Sequence, residues 1–277
     1  MSMATTFDRE RRAAREIALL AGRVVLERYE QGFSVEWKAK DDPVTEADRA
    51  ANELILERLH REFPGDPVLS EESSDDLVRL GADRLWIVDP LDGTRDFVDR
   101  TGEFAVMIGL AFAGEPVAGA VCQPLGSHLW HAARGQGAVV ETADGVAPVR
   151  VSAIAEPAAM RLVVTRSHRY AQIEEIMQVL GISQERPLGS VGLKVGAIAG
   201  GEADLYIHLS PGIKEWDTCA PGIILSEAGG TITDCVGRPL PYNQRDVARR
   251  QGVVASNGRA HERIIAALAP VVQRAGL

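Results

Sequence analysis

Asp89-Pro90-Leu91-Asp92-Gly93-Thr94 places two carboxylates three residues apart where an apolar run stops. The run before it, Arg84-Leu85-Trp86-Ile87-Val88, predicts a strand covered on both faces. Pro90 has no N–H to give to a ladder, so the strand is expected to end there. Gly93-Thr94 then supplies a turn that can open a helix. Two anionic side chains at a buried strand end repel each other and are costly to desolvate. A hard divalent cation relieves both costs, and Mg²⁺ is the chemistry this spacing suggests. The same acids would also serve as an ordinary helix cap. A calcium loop of the EF-hand type needs acidic or amide groups at alternate positions, where Leu91 and Gly93 stand. The metal reading therefore requires other carboxylates to converge on this turn.

Three more acids are candidates. Glu71 directly follows a short expected strand, 68–70, as Asp89 follows its own, and neighbouring strands bring their ends together. With Glu72, Asp75 and Asp76 close by, it also reads as part of a solvated acidic loop. Asp217 follows Trp216 at the expected opening of a helix over 217–228, where an N-cap carboxylate is equally natural. Asp48 lies three residues after Thr45, the spacing of a capping box. None of the three decides the matter singly.

The elements that would carry them can be read coarsely. Apolar positions Ile17, Leu20, Ala21, Val24 and Val25 share one face of a helix over 8–30. A short strand is expected over 33–37 and a turn at Asp41-Asp42-Pro43. Thr45 opens a second helix with Ala47, Ala51, Ile55, Leu59 and Phe63 as its buried stripe. The segments 104–113, 116–123 and 129–132 predict a meander, and 135–140 and 149–152 further strands. Beyond 153 strands and helices alternate: strand 161–165, helix 169–180, strand 186–188, helix 191–199, strand 204–208, helix 217–228, strand 231–234. A final helix spans 260–274. Gly200-Gly201 and Gly229-Gly230 stand where helix C-caps belong. The chain thus reads as an α+β half, 1–153, packed as one unit with an α/β half, 154–277, with the site at their seam.

A length of 277 residues is sufficient for one large domain or two such halves. The formal net charge of −9 offers no basic surface to nucleic acid or to a membrane. An acidic protein that handles a phosphate needs a cation to offset repulsion. Cys122, Cys219 and Cys235 are odd in number and widely spaced, which predicts reduced, buried thiols and a cytoplasmic setting. No apolar run is long enough to span a membrane, and the basic N-terminus lacks the apolar core and cleavage site of a signal peptide.

Ser70-Glu71-Glu72-Ser73, then Trp86 to Phe97 around D-P-L-D-G-T, then Trp216-Asp217-Thr218-Cys219-Ala220-Pro221 match in order and spacing the inositol monophosphatase superfamily of Mg²⁺-dependent, lithium-sensitive phosphatases. The resemblance covers essentially the whole chain. Within that superfamily the chain most resembles the 3′(2′),5′-bisphosphate nucleotidases. Gly102-Glu103-Phe104-Ala105-Val106, Thr165-Arg166-Ser167-His168, Gly189 to Lys194, and Pro211 to Pro221 carry this likeness. Arg95-Asp96-Phe97 stands where inositol monophosphatases usually end the motif in Asn-Phe, and Ser70 replaces a frequent Gly.

The resemblance implies a layered α-β-α-β-α sandwich of the inositol monophosphatase and fructose-1,6-bisphosphatase type. It makes Glu71, Asp89, Asp92 and Asp217 side-chain ligands, and the Leu91 carbonyl a further one, for two or three Mg²⁺ ions. Oxygen-only ligation suits Mg²⁺, and the absence of His and Cys argues against zinc. Thr94 and Asp48 resemble the pair that orients and deprotonates the attacking water, and the N–H groups of Gly93 and Thr94 would hold the scissile phosphate. His168, Ser190 and Lys194 would hold the rest of a nucleotide; otherwise they are an exposed histidine, a helix cap and a solvated lysine. Arg166 has no direction fixed by the sequence, and His128 and His131 read as structural. The implied reaction removes the 3′-phosphate of adenosine 3′,5′-bisphosphate, with a role in sulfur assimilation. Inositol monophosphate or fructose 1,6-bisphosphate are the alternative substrates, and a non-catalytic ligand sensor is the alternative of another class. The family-level expectation for assembly is a homodimer.

Overall fold

Helix α1 (Asp8–Gln31) buries Ile17, Ala18, Ala21 and Val25, the face its periodicity marks. The computed structural model describes residues 6–39, 42–166, 172–210 and 212–277. After α1, strands β1 (Val35–Ala39) and β2 (Asp42–Thr45) form an antiparallel ribbon. Asp42 and Pro43, expected in a turn at Asp41-Asp42-Pro43, lie instead in β2, where Pro43 pairs opposite Trp37, a placement open to proline in a strand paired on one side only. Asp41 lies outside the described residues. Thr45 caps α2 (Glu46–Glu62), which buries Ala47, Ala51, Ile55 and Leu59.

Among the described residues, seven strands make the larger sheet in sequence order: β3 (Val68–Ser70), β4 (Arg84–Asp92), β5 (Ala105–Phe112), β6 (Glu115–Gln123), β7 (His128–Ala133), β8 (Ala138–Thr142) and β9 (Gly145–Pro148). The first pair is parallel and the rest antiparallel. Strand β9 occupies 145–148, not the expected 149–152. Strand β4 does not end at Pro90. Its pairing resumes at Asp92, opposite Ala105, after an irregularity that begins past Asp89. Pro90 thus sits in a bulge, where its missing N–H breaks no regular ladder. The short helix α3 (Thr94–Val98) follows.

The second sheet contains β10 (Arg161–Thr165), β11 (Gln184–Leu188), β12 (Leu205–His208), β13 (Thr231–Thr233) and β14 (Val253–Ser256), in the order β11-β10-β12-β14-β13. Its helices are α4 (Gln172–Leu180), α5 (Val191–Ala199), α6 (Glu215–Glu227) and α7 (His261–Arg274). Strand β14 was not expected from the sequence. It is antiparallel to both neighbours, which makes this sheet mixed. Four apolar or small residues between Gly252 and Asn257, with no helix leading into them, give too weak a pattern.

Side chains alternate across β4 and β5. Trp86, Val88, Val106, Ile108 and Leu110 share a core with α1 and α2. Leu85 and Ile87 pack with Cys219 of α6 and Tyr242, and Ala105 and Met107 join the core shared with α5, α6 and the second sheet. Helices α4 and α7 cover the far face of that second sheet. The result is the α-β-α-β-α sandwich that the resemblance implies.

Helix α6 can lie on the large sheet because Gly109 and Gly119 face it. A Cβ at Gly109 would come within 2.6 Å of Cys219 Sγ and 2.8 Å of the Ala220 nitrogen; one at Gly119 would come within 2.8 Å of Ala220 Cα. Gly109→Ala is expected to cost about 1–3 kcal/mol of stability by overpacking, read as a drop in Tm. An unchanged Tm would mean that the helix seat is not tight. Among the described residues no helix is long and apolar enough to cross a membrane.

Candidate metal centre

The alternation that turns Leu85 and Ile87 toward α6 turns Asp89 the same way. Asp89 Oδ1 accepts the Leu91 N–H at 3.0 Å across the bulge. Asp92 is fixed from the other half of the chain. Its Oδ2 accepts the Ser190 hydroxyl at 2.5 Å and the Gly192 N–H at 2.8 Å. Ser190 sits at φ 45, a left-handed conformation uncommon outside glycine, and its hydroxyl also accepts the Leu193 N–H at 3.1 Å to cap α5. Helix α6 begins at Glu215, two residues before the expected start, so Asp217 is its third residue and not its cap. The Asp217 Oδ2 accepts the Lys214 N–H at 2.5 Å.

These three anchorings bring one carboxylate oxygen each from Asp89, Asp92 and Asp217 within 4.8 Å of one another. Glu71 lies at the end of β3, its N–H donating to the Val88 carbonyl at 3.2 Å. It is not one of the tight three, but its charge is among those acting on Asp89. Burial, then Glu71, Asp92 and Asp217, hold Asp89 well above the ordinary aspartate value. Burial and the Asp92 charge push Asp217 up to about 7. Asp92 is also raised by burial, against the Ser190 hydrogen bond and the Lys194 charge. Buried Asp89 and Asp92 and half-buried Asp217, mutually repelling and with no His or Cys among them, form a donor set that fits a hard divalent cation.

Thr94 Oγ1 lies 3.0 Å from both Asp48 Oδ1 and the Leu91 carbonyl oxygen. One hydroxyl proton serves only one of these acceptors at a time. Asp48 Oδ2 accepts the Thr45 N–H at 2.7 Å and the Thr45 hydroxyl at 2.6 Å. Burial pushes Asp48 up to about 6 against those hydrogen bonds. The capping box and the contact with Thr94 thus use different oxygens of one carboxylate. Gly93 holds φ 89 between these groups, and a Cβ there would lie 3.0 Å from the Glu103 carbonyl oxygen.

These shifts set a pH dependence. An unfolded chain releases the protons near 3.8, whereas the folded chain keeps that of Asp48 to about 6 and that of Asp217 to about 7. The folded state binds more protons in between, so stability in a chelator is expected to fall as pH rises from about 4 to about 7. Added Mg²⁺ offsets the exposed charge, so the rise in Tm it produces should be larger at pH 8 than at pH 5. Equal rises at both pH values would contradict this.

Lys194 is buried on α5, not solvated. Its Nζ donates to the carbonyls of Gly189 at 3.2 Å and Ser190 at 3.0 Å and lies 5.4 Å from the centre of the Tyr206 ring. Burial pulls its ammonium down to about 8 against the charges of Asp92, Asp96, Asp217 and Glu103. His168 lies outside the described residues.

The model of the inositol monophosphatase family matches residues 8–273. The chain belongs to this family. The 3′(2′),5′-bisphosphate nucleotidase CysQ of Escherichia coli is 37% identical over 234 residues, 83% of this chain and 93% of that protein. The 3′-phosphoadenosine 5′-phosphate phosphatase of Mycobacterium tuberculosis is 40% identical over 237 residues, 82% of this chain and 81% of that one. The crystal structure of CysQ from Bacteroides thetaiotaomicron superposes with a TM-score of 0.78 at 31% identity, covering 91% of this chain and 98% of that one. SuhB from Bartonella henselae gives 0.79 at 28% identity, covering 93% and 97%.

In this inositol monophosphatase relative, Glu103 has a place that sequence reasoning left without a role. It accepts the Gly189 N–H at 2.6 Å and a two-pronged contact from Arg166 at 2.7 and 2.6 Å. Arg166, whose direction the sequence left open, therefore points to Glu103. The pair pins the residue just before Ser190, next to the hydroxyl that holds Asp92. An acid directly after Gly102 in a matched segment was the available signal. His131 is structural as expected, bonded to Glu141 at 2.9 Å and Arg11 at 3.0 Å, and His128 stacks on Trp130.

Proposed function

We propose that this protein is a Mg²⁺-dependent phosphatase that hydrolyses the 3′-phosphate of adenosine 3′,5′-bisphosphate, releasing AMP and phosphate. The observation that carries the reaction class is the meeting of Asp89, Asp92 and Asp217 oxygens within 4.8 Å beside the Thr94–Asp48 contact. The substrate rests on the relatives' names and on the nucleotidase-like segments at 102–106, 165–168, 189–194 and 211–221.

Two or three Mg²⁺ ions, held by Glu71, Asp89, Asp92, Asp217 and the Leu91 carbonyl, would lower the pKa of water and offset charge on the ester oxygens. The chain's own groups do the rest. Thr94 Oγ1 takes a proton from the attacking water as its own proton passes to Asp48 Oδ1, which burial makes a better base than an exposed aspartate. Water oxygen bonds to phosphorus, the ester P–O bond breaks, and the ribose 3′-oxygen leaves with a proton from solvent. The N–H groups of Gly93 and Thr94 hold the scissile phosphate. His168, Ser190 and Lys194 hold the remainder of the nucleotide. On this reading the halves 1–153 and 154–277 work as one unit, with Asp217, Ser190 and Lys194 contributed across the seam. The three free, buried cysteines suit a reducing compartment such as the cytoplasm, where sulfur assimilation would supply the substrate.

Lys194→Met keeps most of the side-chain volume and removes the ammonium. It is expected to raise KM for the bisphosphate about tenfold and KM for a nucleoside monophosphate far less. Equal increases would take Lys194 out of substrate binding. The substrate itself is tested by parallel turnover of adenosine 3′,5′-bisphosphate, inositol 1-phosphate and fructose 1,6-bisphosphate with Mg²⁺. The bisphosphate should have the highest kcat/KM; an inositol phosphate preferred by roughly tenfold or more would overturn the assignment. No Mg²⁺-stimulated phosphate release from any of the three would favour a sensor.

A further inference from the structure

Asp89 and Asp217 belong to chain segments more than a hundred residues apart, and like charges drive them apart. Something must hold the first turn of α6 against the β3–β4 side of the sheet. The segment between β13 and β14 does this through buried polar contacts. Glu215, the first residue of α6, is fully buried, and its two carboxylate oxygens each accept a backbone N–H at 2.8 Å, from Asn243 and Gln244. Asn243 reaches the other way. Its Nδ2 donates to the carbonyls of Arg79 at 2.9 Å and Ala82 at 3.0 Å, and its Oδ1 accepts from Arg79 at 2.9 Å. Arg79 is itself buried, donates to the Gln244 carbonyl at 3.0 Å, and pairs with Asp75 at 2.7 Å, four residues past Glu71. Asn243 takes φ 62 to make these contacts. Farther along, the buried Arg249 donates to Thr218 Oγ1 at 3.2 Å, directly after Asp217, and lies over the Tyr242 ring at 4.4 Å.

We propose that Asn243, with Glu215 and Arg79, is a brace that sets the affinity of the site for Mg²⁺ by fixing Asp217 relative to the segment carrying Glu71 and Asp89. The inference rests on the metal reading above and adds to it positioning residues that touch neither ion nor substrate. Each bond in the brace involves a charged group or a backbone group withdrawn from water, so each is strong and costly to leave unmade. Apart from the Arg79–Asp75 pair, each link runs between two of the three chain segments, so cutting it loosens their spacing without altering a ligand.

Asn243→Gly keeps the left-handed backbone and deletes the bridging amide. Calorimetric titration of the purified protein with Mg²⁺ should show a Kd raised about tenfold, and the Mg²⁺-induced rise in Tm should shrink. Turnover at saturating Mg²⁺ should recover most of the wild-type kcat, because the ligands remain. Arg79→Lys keeps the charge beside Asp75 but loses the fork to Asn243 and Gln244; it serves as the second variant if Asn243→Gly does not fold. A Kd within about twofold of wild type in a folded variant, with only a lower Tm, would make the brace purely structural and overturn the proposal. Wild-type protein that binds no Mg²⁺ in the same titration would overturn the metal reading itself, a result separate from any difference between variants.

Discussion

Asp92→Asn is expected to lower kcat on the order of a thousandfold or more, with Tm in a chelator unchanged or raised. The substitution conserves volume. The amide oxygen can take the place of Oδ2 between Ser190 and Gly192, which leaves an NH₂ donor where the other carboxylate oxygen stood. That removes a ligand and one of the negative charges raising Asp217. The cluster repels itself less, so the metal-free fold gains while the reaction is lost. Opposite signs for stability and activity separate a ligand from a core residue, whose loss would lower both. Turnover within about tenfold of wild type would take Asp92 out of the reaction.

The next largest effect belongs to the proton path. Thr94→Ala and Asp48→Asn should each reduce kcat on the order of a hundredfold, with Mg²⁺ affinity little changed. The two act on one proton, so the double variant should be no slower than the worse single one, a failure of additivity expected for groups working as a unit. Activity of the wild type should fall as pH drops through the Asp48 pKa, since the base must be ionised, and this acidic limb should be absent from the residual activity of Asp48→Asn. Additive losses, or a limb that persists, would place the base elsewhere. Asp48→Asn also weakens the capping bonds to Thr45, so a small loss of Tm accompanies it.

The sequence made the metal turn legible because burial and charge conflict openly there. An apolar strand running into two aspartates has few physical resolutions. Strand β4 as far as Val88 follows from its continuous apolar run, and helix α2 from its periodicity and the Thr45 cap. What was not legible depends on partners distant in the chain. Pro90 reads as a strand end, yet the bulge lets β4 continue to Asp92 opposite Ala105. Strand β14 is too short to announce itself and gains its place from β12 and β13 on either side. Lys194 looks like a solvated residue on a Gly-rich helix, and its burial is explained by the Gly189 and Ser190 carbonyls, the Tyr206 ring and the carboxylates around it, all distant or invisible to periodicity. Asn243 carries no local signature and Glu103 only its place after Gly102 in a matched segment, since each acts by bridging segments the sequence does not place together.

Diffraction from crystals soaked in Mn²⁺, a heavier stand-in for Mg²⁺, tests the central claim most directly. An anomalous peak about 2.1–2.3 Å from oxygens of Asp89, Asp92 and Asp217 is the expected result. Bound Mn²⁺ elsewhere on the molecule, with no peak among these three carboxylates, would contradict it.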